Sequence, residues 1–276
     1  MNLKLLWGGV VLAISVLALS IYGLVISSND TKDQPENSQN PLVSSAEDAL
    51  PALKIMQKNA DIALPFCENK NCIDIEIQTI DTQDTLFNTW VNKSQAKVIQ
   101  SQIGLNQDMN LQKAIDAYVR KSDLWQTQQK GNKPYVLAMY TRIAAQRNQY
   151  LLLQVGVDTD QENISIKERY YFFVLDRRDN KTLKILDVID PKQQVQMNEF
   201  VQKAYQNWLK NQAKDVQKSA PQKLLWGQAD WFFDHEGIGL HFRTNEIVKD
   251  AQQLDIYLTK AQTQQVVKPV IYKNMF

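Results

Sequence analysis

Acidic and imidazole side chains come together once in this sequence, at Asp234-His235-Glu236, with His241 a short distance further along the chain. Such groups take part in proton transfer and in metal coordination. Both uses need at least three groups that converge on one point, and the chain contains only these two histidines. We therefore expect Asp234, His235 and Glu236 to form a solvated turn, and we predict no metal site and no cofactor.

Motifs for nucleophilic catalysis and for phosphate binding are absent from the sequence. No G-x-S-x-G elbow and no glycine-rich phosphate loop occurs. The 31 Lys and Arg residues nearly balance the 30 Asp and Glu residues, which does not favour a nucleic-acid ligand. We predict no catalytic residue. The alternative is an enzyme acting on peptidoglycan or another glycan through surface carboxylates such as Asp234 and Glu236.

The two cysteines, Cys67 and Cys72, lie close together in the segment FCENKNC. A zinc site would need two further ligands nearby, and a thioredoxin-like redox motif would need two residues between the thiols. In an oxidising compartment, such a close pair is typical of a disulfide. We predict a Cys67–Cys72 disulfide that closes a small loop and stabilises the fold by roughly 2–3 kcal/mol.

Aromatic side chains are concentrated at Trp226 and at Trp231, Phe232 and Phe233. In a strand, Trp231 and Phe233 share one face and Phe232 lies on the other. These rings are suited either to a hydrophobic core or to an exposed platform for a protein or glycan. We name Trp226, Trp231, Phe232 and His235 as candidate partner-binding residues.

An uncharged apolar run at residues 5–26 has about the ~20 residues that a transmembrane helix needs. Lys4 precedes this run and acidic residues follow it, which predicts a cytoplasmic N-terminus and an exported body. Residues 1–26 are then a cytoplasmic tip and a membrane anchor. The alternative is a signal peptide cleaved near Ala18-Leu19-Ser20, although the apolar run is longer than a usual secretory core.

The rest of the chain divides into a polar segment and a folded body. Residues 27–60 are polar and poor in aromatics, which predicts a flexible linker. In residues 61–276, helices and hairpins occur in blocks, which predicts an α+β fold: an antiparallel sheet built from hairpins, with helices packed on one side. The predicted strands span residues 73–77, 135–143, 150–157, 169–175, 183–188, 224–233, 238–243 and 254–258. The predicted helices begin after Asp84, near residue 110 and at Pro191, and residues 266–272 are predicted as an edge strand or extended tail.

Two stretches of the body resemble a known family. They are YFFVLDRRDNKTLKILDVIDP and LLWGQADWFFDHEGIGLHFRTNEIVKDAQQLDIYLTKAQTQQVVKP. Their order of strands, turns and helix starts resembles the RsiV-like extracytoplasmic domain family, whose module also precedes the catalytic domain of the peptidoglycan deacetylase PdaC. The resemblance covers roughly residues 73–269. Where many members carry Gly-Gly-Ala-His, this chain has QVGVDTDQENISIKERYYFF, and we expect no sigma-factor-binding segment before the anchor and no deacetylase domain after the module.

The resemblance implies a binding function at the cell wall, because the module of RsiV senses lysozyme. We therefore expect a single-pass protein of a bacterial inner membrane with its body in the periplasm. Its expected partner is a cell-envelope protein such as lysozyme, or a peptidoglycan fragment, and its expected role is sensing without catalysis. A scaffold subunit of an envelope complex is a further alternative.

Overall fold

The computed structural model describes residues 50–67, 72–128, 131–162 and 164–276. The predicted anchor at residues 5–26 and most of the predicted linker lie outside these described residues. Among the helices that are described, none is long and apolar enough to cross a bilayer.

Within the described residues, six strands form one sheet in the order β1-β2-β3-β4-β5-β6. Neighbouring strands are antiparallel, except that β2 and β3 are parallel. A parallel pair requires a crossover, and the chain makes it through two helices, α1 and α2. The strands are β1 Met56–Asn59, β2 Asp74–Asp81, β3 Val136–Arg147, β4 Tyr150–Gln161, β5 Ile164–Asp176 and β6 Lys181–Leu183.

Helices α1 (Thr85–Gln102) and α2 (Leu111–Gln128) are packed in one core with one face of this sheet. Asp84 caps α1 as predicted, because its Oδ1 accepts the main-chain N–H groups of Leu86 and Phe87, both at 3.0 Å. The sheet residues in this core include Leu151, Leu153, Val155 and Val157, which alternate along β4.

A second core contains residues from the other face of β4 and β5, together with a smaller antiparallel sheet of three described strands in the order β7-β8-β9. Tyr150, Leu152 and Val174 belong to this second core. Strand β4 is therefore covered on both faces near its first residue, Tyr150. The elements are β7 Asp230–Phe233, β8 Ile238–Phe242, β9 Leu254–Tyr257, α3 Ile185–Val188, α4 Gln194–Lys210, α5 Lys214–Ser219, α6 Lys260–Val266 and α7 Pro269–Met275.

The α+β class is confirmed, and its details are corrected. The predicted antiparallel sheet contains a parallel pair, and a second sheet is present. Helices are not confined to one side, because α4 belongs to the second core and α1 and α2 to the first. Helix α4 has the predicted entry, with Asp190 accepting the N–H of Lys192 and Pro191 starting a short 3₁₀ turn before the helix.

Three predicted segments differ in the structure. The strand predicted for residues 183–188 ends at Leu183 and becomes α3, and the strand predicted for 224–233 begins only at Asp230. Residues 266–272 are not an edge strand. Only Val267 makes a bridge, to Ile189, and Pro269 starts α7. Proline fits the first turn of a helix as well as a sheet edge, so the sequence signal was ambiguous.

The sheet also includes residues from the end of the predicted linker. Strand β1 pairs with β2, and Lys58 Nζ lies 2.7 Å from Asp81 Oδ2. All four β1 side chains are exposed, so no alternating pattern marks this strand in the sequence. Its pairing is made by main-chain groups.

The predicted Cys67–Cys72 disulfide is confirmed, with 5.8 Å between the two Cα atoms.

Candidate functional site

The acidic turn at residues 234–237 joins β7 to β8. Asp234 Oδ1 accepts the main-chain N–H groups of Glu236 at 2.7 Å and Gly237 at 3.1 Å, so this carboxylate closes the turn. The side chains of His235 and Glu236 are mostly exposed and lie 3.6 Å apart. Within the described part of the chain, no group of three His, Cys, Asp or Glu residues is arranged to hold a metal ion. The turn is solvated, as predicted.

Of the two arrangements that the sequence left open for the aromatic residues, core packing is the one in the structure. Trp226, Trp231 and Phe232 are all buried in the second core. Trp231 Nε1 donates a hydrogen bond to the carbonyl oxygen of Leu183 at 2.8 Å, which satisfies the polar atom of that ring. The ring of Phe232 packs 5.1 Å from that of Phe172 on β5. Both faces of β7 are therefore packed, and Phe232 lies on the face that meets β5 of the large sheet.

A row of two carboxylates and a histidine lies across the small sheet where it meets β5. Asp230, His241 and Asp255 are direct neighbours on β7, β8 and β9. His241 is 3% exposed, and its Nδ1 is 2.6 Å from Asp255 Oδ1. Its Nε2 is buried and has no hydrogen-bond partner within the described residues. A buried polar atom without a partner is unusual in a folded protein and marks this position as a candidate site.

Arg243 extends this row at the end of β8. Its Nη1 lies 2.5 Å from Asp230 Oδ2, its Nη2 lies 2.9 Å from Glu246 Oε1, and its guanidinium is 4.2 Å from the centre of the Tyr171 ring. Burial works against the charged form, but Asp230 and Glu246 outweigh it and raise the pKa of Arg243. The same Asp230 oxygen accepts the main-chain N–H of Phe172 at 3.2 Å, which links the small sheet to β5.

An open groove of about 380 Å³ adjoins this row. We call it the His241 groove. Its walls carry the cations Lys167 and Arg169, the ring of Tyr170 and the amides Asn245 and Gln253. The groove is lined by Ile164, Ser165, Ile166, Lys167, Glu168, Arg169, Tyr170, His241, Arg243, Thr244, Asn245 and Gln253. Side chains of this kind make hydrogen bonds with hydroxyl, amide and carboxylate groups, so the groove suits a polar ligand.

The sequence analysis considered His241 only together with the acidic turn and did not select it as a site residue. Its partner Asp255 is 14 residues away in the chain. The two meet only because β8 and β9 pair in one particular register. A histidine and an aspartate on neighbouring predicted strands are a weak signal until that register is known.

The chain matches no protein-family model and no curated protein. It does share its fold with solved structures. A DUF3298 family protein from Pseudomonas aeruginosa PAO1 is 15% identical, with a TM-score of 0.59, over 80% of this chain and 97% of that one. A DUF3298 member from Bacteroides fragilis NCTC 9343 is 13% identical, with a TM-score of 0.54, over 81% of this chain and 97% of that chain. DUF3298 proteins are related to RsiV-like domains, so the resemblance is supported at the level of the fold.

Proposed function

We propose that this chain is a membrane-anchored binding module whose folded body lies outside the cytoplasm and recognises a component of the bacterial cell envelope. The apolar run at residues 5–26 supports the anchor. The Cys67–Cys72 disulfide supports an oxidising compartment, because disulfides persist there and are rare in the cytosol.

The observation that carries the binding role is the His241 groove, in whose wall the Nε2 of His241 is buried without a hydrogen-bond partner among the described residues. Leaving a buried polar atom without a partner costs about 1–3 kcal/mol, and a ligand that supplied a partner would recover part of that cost. In the neutral ring whose Nδ1–H donates to Asp255, Nε2 accepts, so the matching ligand group is a donor such as a hydroxyl or an amide. Peptidoglycan fragments carry both groups. We therefore favour a peptidoglycan fragment as the ligand, with a protein such as lysozyme as the alternative.

Calorimetric titration of the full chain in detergent tests this proposal. The two probes are soluble fragments from digested peptidoglycan and, separately, lysozyme. We expect the fragments to bind, and His241→Asn to weaken binding by about tenfold, because Asn can still donate to Asp255 but has no Nε2. The matched control is His235→Asn, which changes the exposed histidine of the turn and should leave binding unchanged.

Two results would contradict the proposal. In the first, neither probe binds; in the second, both variants bind the fragments as tightly as the parent chain. Binding of lysozyme alone, with His241→Asn without effect, would retain an envelope partner but move the site away from the His241 groove. The melting temperature of each variant shows whether the fold is intact.

A hydrolase acting on glycans is the second candidate, and one contact favours it. The hydrogen bond from His241 to Asp255 is the arrangement that orients a histidine as a general base. Of the two carboxylates named for the enzyme alternative, Asp234 is engaged in closing its turn, and Glu236 is exposed beside His235. Incubation of purified peptidoglycan with the chain distinguishes the candidates: new products that disappear with Asp255→Asn, but persist with Asp234→Asn, would establish hydrolysis.

A further inference from the structure

Strand β5 borders the His241 groove with its main-chain edge. Every residue of β5 from Ile164 to Tyr170 lines the groove. Because side chains alternate along a strand, a strand that offered only one face would contribute every second residue. Strand β6 pairs with β5 only at residues 174–176, so among the described strands none pairs with this part of the β5 edge. The groove therefore runs along an unpaired strand edge.

The main-chain groups of Tyr170 point out of this edge. The N–H of Phe172 donates to Asp230 Oδ2 at 3.2 Å, so it faces away from β4. In an antiparallel ladder the direction of these groups alternates, so the N–H and the C=O of Tyr170, two residues earlier, face the same way. Within the described part of the chain, no hydrogen bond to these two groups is found. Asp230 thus occupies the position at Phe172, and the next one, at Tyr170, is open.

The opposite wall of the groove supplies a single buried acceptor. It is formed by His241 and by residues 243–245 after β8. His241 is 3% exposed, and its Nε2 accepts in the neutral ring whose Nδ1–H donates to Asp255. An extended peptide directs the N–H groups of successive residues to opposite sides. A peptide paired with Tyr170 would therefore present its next N–H toward the wall that holds His241, and a glycan has no such two-sided repeat of donors.

Two cations of the groove have no ion pair among the described residues. They are Lys167 and Arg169, whereas Arg243 is engaged by two carboxylates. The carboxylate that lines the groove is that of Glu168. The unpaired lining charges are therefore two cations and one anion, which favours a ligand that carries a carboxylate. A charge-assisted hydrogen bond to such a group is stronger than one between neutral groups.

We propose that the His241 groove recognises the peptide portion of a peptidoglycan fragment. This extended chain pairs with the β5 edge at Tyr170, donates an N–H to His241 Nε2, and places a carboxylate beside Lys167 and Arg169. A single chain fits between the two walls, whereas the edge of a folded partner would bring further strands against the second wall. The inference rests on the proposed function and names the part of the ligand that the groove contacts.

The first test separates the peptide from the sugar. Peptidoglycan is cleaved at the amide bond between sugar and peptide, and the released peptides and the bare glycan are titrated separately against the full chain in detergent. We expect the peptides to bind with a Kd within about threefold of that of the intact fragments, and the bare glycan to bind at least about tenfold more weakly. Peptides whose carboxylates have been amidated should also bind about tenfold more weakly.

This test distinguishes the inference from the proposed function. If the bare glycan binds as tightly as the intact fragments and His241→Asn weakens that binding, the proposed function stands and the inference is overturned. If the intact fragments do not bind either, both are overturned. If amidation of the peptides leaves the Kd unchanged, the assignment of Lys167 and Arg169 to a carboxylate is wrong.

The second test addresses the strand edge. Tyr170→Pro removes the outward N–H but no hydrogen bond to β4, because proline is tolerated at a sheet edge when its nitrogen faces away from the ladder. Tyr170→Ala loses the same ring and keeps the N–H, so it is the matched control. We expect Tyr170→Pro to bind the peptides about tenfold more weakly than Tyr170→Ala. Equal Kd values for two folded variants would overturn the pairing with β5.

The third test uses charge and leaves the main chain of β5 unaltered. Arg169→Gln should weaken binding of the peptides about fivefold and leave binding of the amidated peptides unchanged. Arg120→Gln removes the same charge at an exposed position of α2 and should alter neither. If Arg169→Gln weakens both kinds of peptide equally, or neither, the carboxylate contact is overturned. The melting temperature of each variant shows whether it is folded.

Discussion

Gly239 shows how one residue shapes the interface between the two sheets. It lies opposite Phe232 across the β7–β8 pair, and a Cβ at this position would overlap the Phe232 ring. The ring can lie over the strand because glycine leaves that space open. Phe232 in turn packs against Phe172 and, at 5.2 Å, against Tyr257. A residue without a side chain therefore supports a cluster of three aromatic rings.

We predict that Gly239→Ala lowers the free energy of unfolding by about 1–3 kcal/mol, because the added methyl group forces the buried ring out of its position. Chemical denaturation measures this change. The double variant Gly239→Ala with Phe232→Leu should be less destabilised than the sum of the single variants, since the smaller side chain leaves room for the methyl group. Additive effects would show that the ring is not the cause.

At the scale of elements, Asp187 stabilises the start of α3. Its carboxylate accepts the main-chain N–H of Lys184 at 2.9 Å and lies 3.0 Å from Lys181 Nζ. Burial opposes the charged form, but the N–H of Lys184 and the charge of Lys181 outweigh it and lower the pKa of Asp187. A carboxylate whose pKa is lower in the folded state stabilises the fold above its unfolded pKa of about 3.9, and this contribution is lost as the pH falls through the folded value.

We therefore expect Asp187→Asn to lower the free energy of unfolding by about 1 kcal/mol at pH 7. The difference between variant and parent should shrink as the pH falls below about 4, because the parent carboxylate then becomes protonated. Denaturation curves at a series of pH values measure this. Asp123→Asn, at an exposed position of α2, is the control and should show little effect at any pH. A pH-independent difference at residue 187 would contradict the electrostatic explanation.

At the scale of the whole molecule, the body is organised around a sheet that contributes to two cores. Strand β4 contributes Leu151 and Leu153 to one core and Tyr150 and Leu152 to the other. The Cys67–Cys72 disulfide lies between β1 and β2, near the start of the folded body. Its redox state is therefore a direct readout of the compartment that the body occupies.

We predict that Cys67 and Cys72 do not react with a membrane-permeant alkylating reagent in intact cells until a reductant is added, because only free thiols are alkylated. The paired variant Cys67→Ser with Cys72→Ser should lose no more than about 2–3 kcal/mol of stability, since the closed loop is short. Thiols that react before reduction would place the body in a reducing compartment and contradict the proposed location.

Local features of this fold could be read from the sequence. Asp84 and Asp190-Pro191 mark helix starts by chemistry confined to a few neighbouring residues, and the alternation in β2 marks a strand. The cysteines are close enough in the chain to predict their pairing. Strand β1 was missed because all four of its side chains are exposed, so no alternation of apolar and polar residues marks it.

The candidate site depended on contacts that no local pattern contains. Asp230, His241 and Asp255 form a row only through the registers of β7, β8 and β9, and the second core buries the aromatic residues that the sequence left available for a surface. The sequence alone determined the α+β class, the helix caps and the disulfide, because each follows from residues that are near one another in the chain or from a repeating pattern. Tertiary structure decided which polar groups meet and which aromatic face is covered, because both depend on how distant strands pack.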